Sequence, residues 1–163
     1  MLPIKVRNVY YYRIAGQYIF AGDLFISRRK LYFFPEVDLE EQRAKAINGW
    51  RGQFGVIGHL VMYIEQYFGS YKSSTKFWTE GMGVDQFEFQ AALLVAQLKS
   101  AKLHDKTLLP APTVIIPNEV SNLKLRGSGV LSFAAQSDTH DFNIGPRRKR
   151  LVRDALGEAG FAV

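Results

Sequence analysis

The stretch Val130–Ile144, VLSFAAQSDTHDFNI, decides the fold, and residues 145–160, GPRRKRLVRDALGEAG, close it. Val130–Gln136 alternates, with Leu131, Phe133 and Ala135 on one face. Ser137-Asp138 reads as a turn, and Thr139–Ile144 alternates again, with His140, Phe142 and Ile144 on one face. A period of two is the strand signal. Gly145-Pro146 then stops the sheet and starts a helix, because proline is tolerated in a first helical turn. Leu151, Val152, Ala155, Leu156 and Ala159 recur at helical spacing, which predicts a core-packing stripe. Gly160 stands where a C-terminal cap is expected. A small sheet closed by one amphipathic helix is the layout of a binding module.

Immediately upstream, Val120–Arg126 pairs naturally with Val130–Gln136 across Gly127-Ser128-Gly129, and Val114–Pro117 reads as a short strand. The N-terminal part, Ile4–Val37, reads as three further strands. Ile4, Val6, Asn8, Tyr10, Tyr12 and Ile14 share one face of the first, which places Tyr10 and Tyr12 on the core side. Ala15-Gly16-Gln17 is the turn to Tyr18–Ser27, and Arg28-Arg29-Lys30 form an exposed tip before Leu31–Phe34. Pro35 is expected to end that strand, since it cannot donate to a central ladder.

Between these parts, residues 38–112 change period. Asp38 with Glu41, and Asp85 with Glu88, have capping-box spacing. Helices are expected over Gln42–Ile47, Val56–Phe68 and Phe87–Leu103, the last with Leu94, Leu98 and Ala101 on one stripe. Gly49, Gly52, Gly55 and Gly58 recur every third residue, and each glycine costs a helix about 1 kcal/mol relative to alanine. Close helix packing explains them better than a phosphate loop, whose Lys-Ser/Thr ending is missing. Residues 39–112 hold eight Lys+Arg against seven Asp+Glu, so most of the net charge of +6 belongs to the strand-rich ends.

Composition narrows the function classes. The 163 residues fit one domain with a large insertion. With 47% hydrophobic and 22% charged residues the chain is an ordinary globular one. No cysteine is present, which excludes disulfide frameworks, thiolate zinc sites and cysteine nucleophiles. Met1–Tyr12 lacks a signal-peptide pattern, so a cytoplasmic protein is expected. The longest weakly charged run, Gln53–Ile64, falls well short of the roughly 20 residues that span a bilayer.

Three stretches carry a resemblance. Gly22-Asp23-Leu24-Phe25-Ile26-Ser27 before Leu31-Tyr32-Phe33-Phe34 is similar to the hairpin of GRAM-type domains. Ile116-Pro117-Asn118-Glu119-Val120-Ser121-Asn122-Leu123 resembles their "I-P-x-x-x-I" strand, and Leu131-Ser132-Phe133 through Asp141-Phe142 resembles the next hairpin. The chain thus resembles the PH-like superfold, α+β in class, split into 1–38 and 113–163 by a helical insertion over 39–112. The resemblance implies a bent antiparallel β-barrel of seven strands, plugged by the C-terminal helix, with the insertion between strands 3 and 4. It also implies a non-catalytic role in binding an anionic lipid headgroup or a protein partner, at a peripheral membrane or in the cytoplasm, with no cofactor. The basic pattern of phosphoinositide-binding PH domains is missing: the first loop is short, and Leu24-Phe25-Ile26 carries no charge.

The candidate anion patch is Arg147, Arg148, Lys149 and Arg150, set against the positive end of a helix dipole, with Arg28, Arg29 and Lys30 as a second basic group. Arg150 and Asp154 have the spacing of an i,i+4 ion pair. The apolar residues Trp50, Phe54, Ile57 and Val61 in the insertion are the candidate partner interface. An alternative reading is a metal-dependent or acid–base hydrolase using Ser137, Asp138, His140 and Asp141. Against it, His140 and Asp141 point to opposite faces of one strand. A third reading, nucleic-acid binding, has only Tyr10-Tyr11-Tyr12 between Arg7 and Arg13 to support it.

Overall fold

The computed structural model describes residues 1–12, 20–38, 74–104 and 112–163. The expected turn at Gly16, the Asp38–Glu41 capping box, the helices within 39–73 and the glycine series lie outside the described residues. Seven strands form one antiparallel sheet: β1 (Ile4–Tyr12), β2 (Phe20–Ser27), β3 (Lys30–Asp38), β4 (Thr113–Ile115), β5 (Ser121–Leu125), β6 (Val130–Ala135) and β7 (Asp138–Asn143). Among the described residues two α-helices accompany them, α1 (Val84–His104) and α2 (Lys149–Glu158). The strand order is β4-β3-β2-β1-β7-β6-β5. Two meanders, β1 to β4 and β5 to β7, are therefore joined along the β1–β7 ladder.

The sheet curls, and the Gln136 side chain shows it. Its Nε2 donates to Val114 O at 3.1 Å and to Glu119 Oε2 at 3.0 Å. In a flat sheet β7 and β4 would lie four strand spacings apart, about 19 Å. Yet the expected closed barrel is not found: β4 and β5 are the two ends of the ladder order and do not pair with each other among the described residues. The reason is local. β4 has three residues and runs into a 3₁₀ turn at Pro117–Glu119, while β5 is broken by a register shift between Ser121 and Lys124, with Asn122 at φ 55°.

Both meanders contribute to one core on the concave side. Val6, Leu24, Leu31, Leu131, Phe133 and Phe142 meet Val152, Ala155, Leu156 and Phe161, from α2 and the chain end. Leu131, Phe133 and Ala135 face inward, as do His140, Phe142 and Ile144, which is the expected alternation. The turn between them is Gln136-Ser137, with both φ positive (52° and 67°) and Ala135 opposite Asp138. That is the two-residue primed turn whose twist suits a hairpin, so Asp138 opens β7 and is not part of the turn.

Two expectations are overturned by bulges. In β1, Val6 pairs with Leu24 but Val9 with Gly22, so β1 carries one extra residue, and Asn8 takes φ 54°. Asparagine tolerates this left-handed conformation better than most residues. The insertion reverses the phase of the alternation, as a one-residue slip must. Val9 and Tyr11 are therefore in the core, and Tyr10 is not. In β3, Pro35 does not end the strand. The register skips Glu36, between Pro35 opposite Gly22 and Val37 opposite Ala21. β4 reaches only as far as Phe33, so among the described residues no strand on that side seeks the missing N–H of Pro35. Gly22 makes the crossing possible: a Cβ there would lie 2.1 Å from Phe34 O.

The convex side of β2 and β3 is covered too. Phe25, Tyr32 and Phe34 pack against Met82, Phe87 and Ala91, with Leu94, Val95 and Leu98 completing the helix stripe. The described end of the insertion therefore lies on the sheet. A polar clamp holds its start. Buried Asp23 accepts from Lys5 Nζ at 2.8 Å and from Thr75 Oγ1 at 2.7 Å, and Lys5 also donates to Thr75 Oγ1 at 2.9 Å. The ammonium lies 5.3 Å from the Phe25 ring centre and 5.7 Å from that of Trp78. Next to it, Glu36 accepts from Ser74 N at 2.9 and 3.0 Å and from Ser74 Oγ at 2.7 Å.

Removing one partner of a buried ion pair leaves an uncompensated charge, at a cost of about 3–5 kcal/mol. Lys5→Met should lower the urea-unfolding free energy by that amount. A loss below about 1 kcal/mol would mean that Asp23 finds water or another donor.

Candidate functional site

The β1 bulge also builds a pocket. It takes Arg7 and Asn8 out of regular pairing with β2, and a main-chain carbonyl freed in this way needs another donor. Arg148 supplies it, donating from Nη1 to Arg7 O. Arg148 ends a 3₁₀ turn, Pro146–Arg148, which follows Gly145 (φ 79°) and from which α2 continues. The expected helix start at Pro146 is thus a 3₁₀ turn, and the α-helical bonds begin one turn later.

A pocket of about 340 Å³ opens between these parts. Asn8 and Tyr10 of β1, Ser128 of the β5–β6 turn, Asn143 at the end of β7, and Arg147 and Arg148 line it. Its wall requires two main chains to touch. Ile144 N donates to Gly129 O at 2.9 Å, and a Cβ on Gly129 would lie 2.3 Å from Gly145 C. Gly129 also has φ 84°, so an L side chain there is excluded twice over. Asn143 Oδ1 accepts from Gly145 N at 3.0 Å and sets the exit of the chain from the sheet.

The other sequence-predicted basic residues lie elsewhere. Arg28 and Arg29 form the exposed β2–β3 turn, with Arg29 at φ 58°. Arg7 lies across from Leu24–Gly22, whereas Arg28 is four residues beyond Leu24, about 13 Å along the strand. Lys30 is bonded to Glu88 Oε2 at 2.8 Å, and Tyr32 OH donates to the same oxygen. Burial first, then the bond to Glu88 and its charge, push the Tyr32 phenol well above its ordinary value. Glu88 thus ties α1 to β3 and does not serve as a capping-box partner for Asp85. Lys149 is half-buried, and Arg150 pairs with Asp154 at 4.0 Å with both side chains exposed, a geometry that contributes little. Leu151 departs from the expected core stripe and is 49% exposed. Trp50, Phe54, Ile57 and Val61 lie outside the described residues.

His140 sits inside the aromatic core, stacked with Phe133, Phe142 and Tyr11. Its Nε2 lies 3.3 Å from Ala135 O and its Nδ1 3.5 Å from Tyr11 OH. Asp138 and Asp141 flank it in sequence, and no group of three His, Cys, Asp or Glu among the described residues could hold a metal ion. A second pocket, about 260 Å³, lies at the gap beside β4 and is lined by His140, Tyr11, Phe20, Phe33, Gln136 and Asp138, among others. No helix of the described residues is long and apolar enough to cross a membrane.

Asn8, Tyr10, Ser128 and Asn143 are the site residues that pattern reading missed. One signal was available: an asparagine inside a strand is depleted in sheets and enriched where φ is positive. Comparison with protein-family models, with curated proteins and with solved structures finds no match to this chain.

Burial lowers the pKa of His140 from its ordinary 6.5, against the Ala135 carbonyl and the charges of Asp138 and Asp141, which raise it. The folded state therefore binds the proton less readily than the unfolded chain. This contribution to stability is complete above pH 6.5 and is lost as pH falls through that value toward the lower folded-state one. In urea titrations at pH 8 and in the mildly acidic range, His140→Phe should lose less stability on acidification than the wild type. Equal losses would remove His140 from the acid response.

Proposed function

We propose that this chain is a non-catalytic binding module with a PH-like, GRAM-type core, and that its ligand is a phosphate-bearing anion held in the Arg147–Arg148 pocket. The two meanders, the curl of the sheet and the helix on the concave core support the architecture. One observation carries the function: two arginines, Arg147 and Arg148, and the polar residues Asn8, Ser128 and Asn143 line one pocket. Arginine suits this task because its planar fork matches phosphate oxygens, often through two parallel bonds. A guanidinium has five N–H groups, and the Arg7 carbonyl engages one of those on Arg148. That bond fixes the side chain before a ligand arrives, so less freedom is lost on binding. The pocket size suits a phosphorylated headgroup or a small phosphate ester.

The test is binding of a soluble inositol phosphate by calorimetry. Arg147→Gln should weaken it about tenfold, the order expected for one charge-assisted contact. Arg28→Gln with Arg29→Gln should leave it unchanged at moderate salt. Undiminished affinity in Arg147→Gln, or no binding by the wild type, would remove the pocket as the site. Gly129→Ala, which drives the β5–β6 turn off Gly145, should also weaken binding, with a loss of stability that thermal unfolding would register.

A further inference from the structure

We infer that two copies of this chain pair through the outer face of α1, antiparallel about a two-fold axis near Ala92. The inference is independent of the pocket and adds a partner. α1 is apolar on both sides. Its inner stripe, Phe87, Ala91, Leu94, Val95 and Leu98, packs on the sheet. Its outer side carries Phe89 and Leu93, which are 63% and 44% exposed, with exposed Ala92 and Ala96 beside them. A helix that covers a sheet ordinarily turns charged residues to water, and one that is apolar all round is ordinarily buried. Between Asp85 and Lys99 the only charged residue is Glu88, whose carboxylate is bonded to Lys30 and Tyr32 of β3. The exposed face therefore carries no charge between those two residues, over about 21 Å of helix.

The charges at the two ends of this face identify what fits it. Asp85 and Lys99 are exposed, and among the described residues neither has an ion-pair partner in its own chain. At 3.6 residues per turn, the step from one to the other returns to within about 40° of the starting direction, so both lie on one flank of the helix. An antiparallel two-fold pair sets like flanks opposite each other. With the axis at Ala92, midway between the two charges, Asp85 of each copy meets Lys99 of the other, and the contact is self-complementary. Ala92 and Ala96 let the helices approach, and Phe89 and Leu93 fill the seam from both sides. An unrelated protein would need an opposite pair of charges at the same spacing, which a second copy supplies without further design.

The test is sedimentation equilibrium of the full chain at low salt, where the wild type should associate as a dimer. Leu93→Gln should raise the dissociation constant about thirtyfold, the value for two half-exposed leucine side chains left in water. Its thermal unfolding, followed at a concentration where the wild type is monomeric, should match that of the wild type. Asp85→Lys leaves cations at both ends of the face, and Lys99→Asp leaves anions at both. Each should weaken self-association about tenfold, because two attractive pairs become repulsive. An equimolar mixture of these two variants should dimerise better than either alone, since each copy then meets its opposite. Recovery on mixing also separates a lost contact from a damaged helix. A wild type that stays monomeric, a dimer undiminished in Leu93→Gln, or a mixture that associates no better than its components would overturn the inference and leave the pocket reading untouched.

Discussion

Strand β1 belongs to two ladders, and the bulge at Asn8 is what lets it serve both. Val6 must face inward against β2 at one end. Val9 and Tyr11 must face inward where β1 passes between β2 and β7. A regular strand could not meet both demands, because Val6 and Val9 are separated by an odd number of steps and would lie on opposite faces. One residue at positive φ restores the phase. Asn8 is suited to it, since its short polar side chain tolerates that conformation. Remove the bulge and either Val6 or the Val9–Tyr11 pair leaves the core. Tyr11 alone packs against Phe20, Phe33, Phe142 and His140.

The outer layer follows from a second demand. β2 is buried along nearly its whole length on both faces, which is unusual for an antiparallel strand with water on one side. Phe25 and Phe34 require a cover, and α1 with Phe77 and Trp78 supplies it. Such a cover cannot be held by apolar contact alone at a fixed register, because hydrophobic burial has no direction. The Lys5–Asp23–Thr75 triangle and the Glu36–Ser74 bonds give it one. Burial raises the Glu36 pKa despite the bonds from Ser74, with Asp23 adding to the rise and Lys5 opposing it. The clamp is therefore a position-setting device more than a source of net stability. The two sheet ends are protected in other ways: Pro117 follows a very short β4, and β5 carries Lys124 and a broken register. Both features discourage a foreign strand from adding to the sheet.

Much of the sheet was legible because alternation and turn chemistry agreed locally. Leu131, Phe133 and Ala135, and then Phe142 and Ile144, face the core with no long-range information needed. Three of the misreadings share one physical type. Tyr10 against Tyr11, Pro35 as a terminator, and closure of the barrel all depended on bulges, and a bulge is a tertiary compromise that leaves little trace in hydropathy. Lys30 looked like a solvated tip charge because Glu88 is 58 residues away. Lys5 meets Asp23 and Thr75 only after β1, β2 and the segment behind them assemble. Leu151 was misplaced by a helical repeat that admits five apolar positions where the concave core has room for four. The pocket was the least legible part, since its lining comes from three separate segments and only the arginines stand out in composition.

Arg148 joins the fold to the site. A cluster of arginines at a helix start is unfavourable by itself, since the helix dipole already places positive charge there. The structure offsets part of that cost internally: the Arg7 carbonyl, displaced by the bulge, gives Arg148 an acceptor. Among the described residues Arg147 has no such acceptor, and it is exposed at the pocket while its neighbour is held. The two residues therefore carry different burdens. Arg148 would be needed for the β1–α2 junction even in a chain that bound nothing. Arg147 makes no such bond among the described residues, and in the proposed reading its place beside a fixed second arginine is what suits the pocket to an anion.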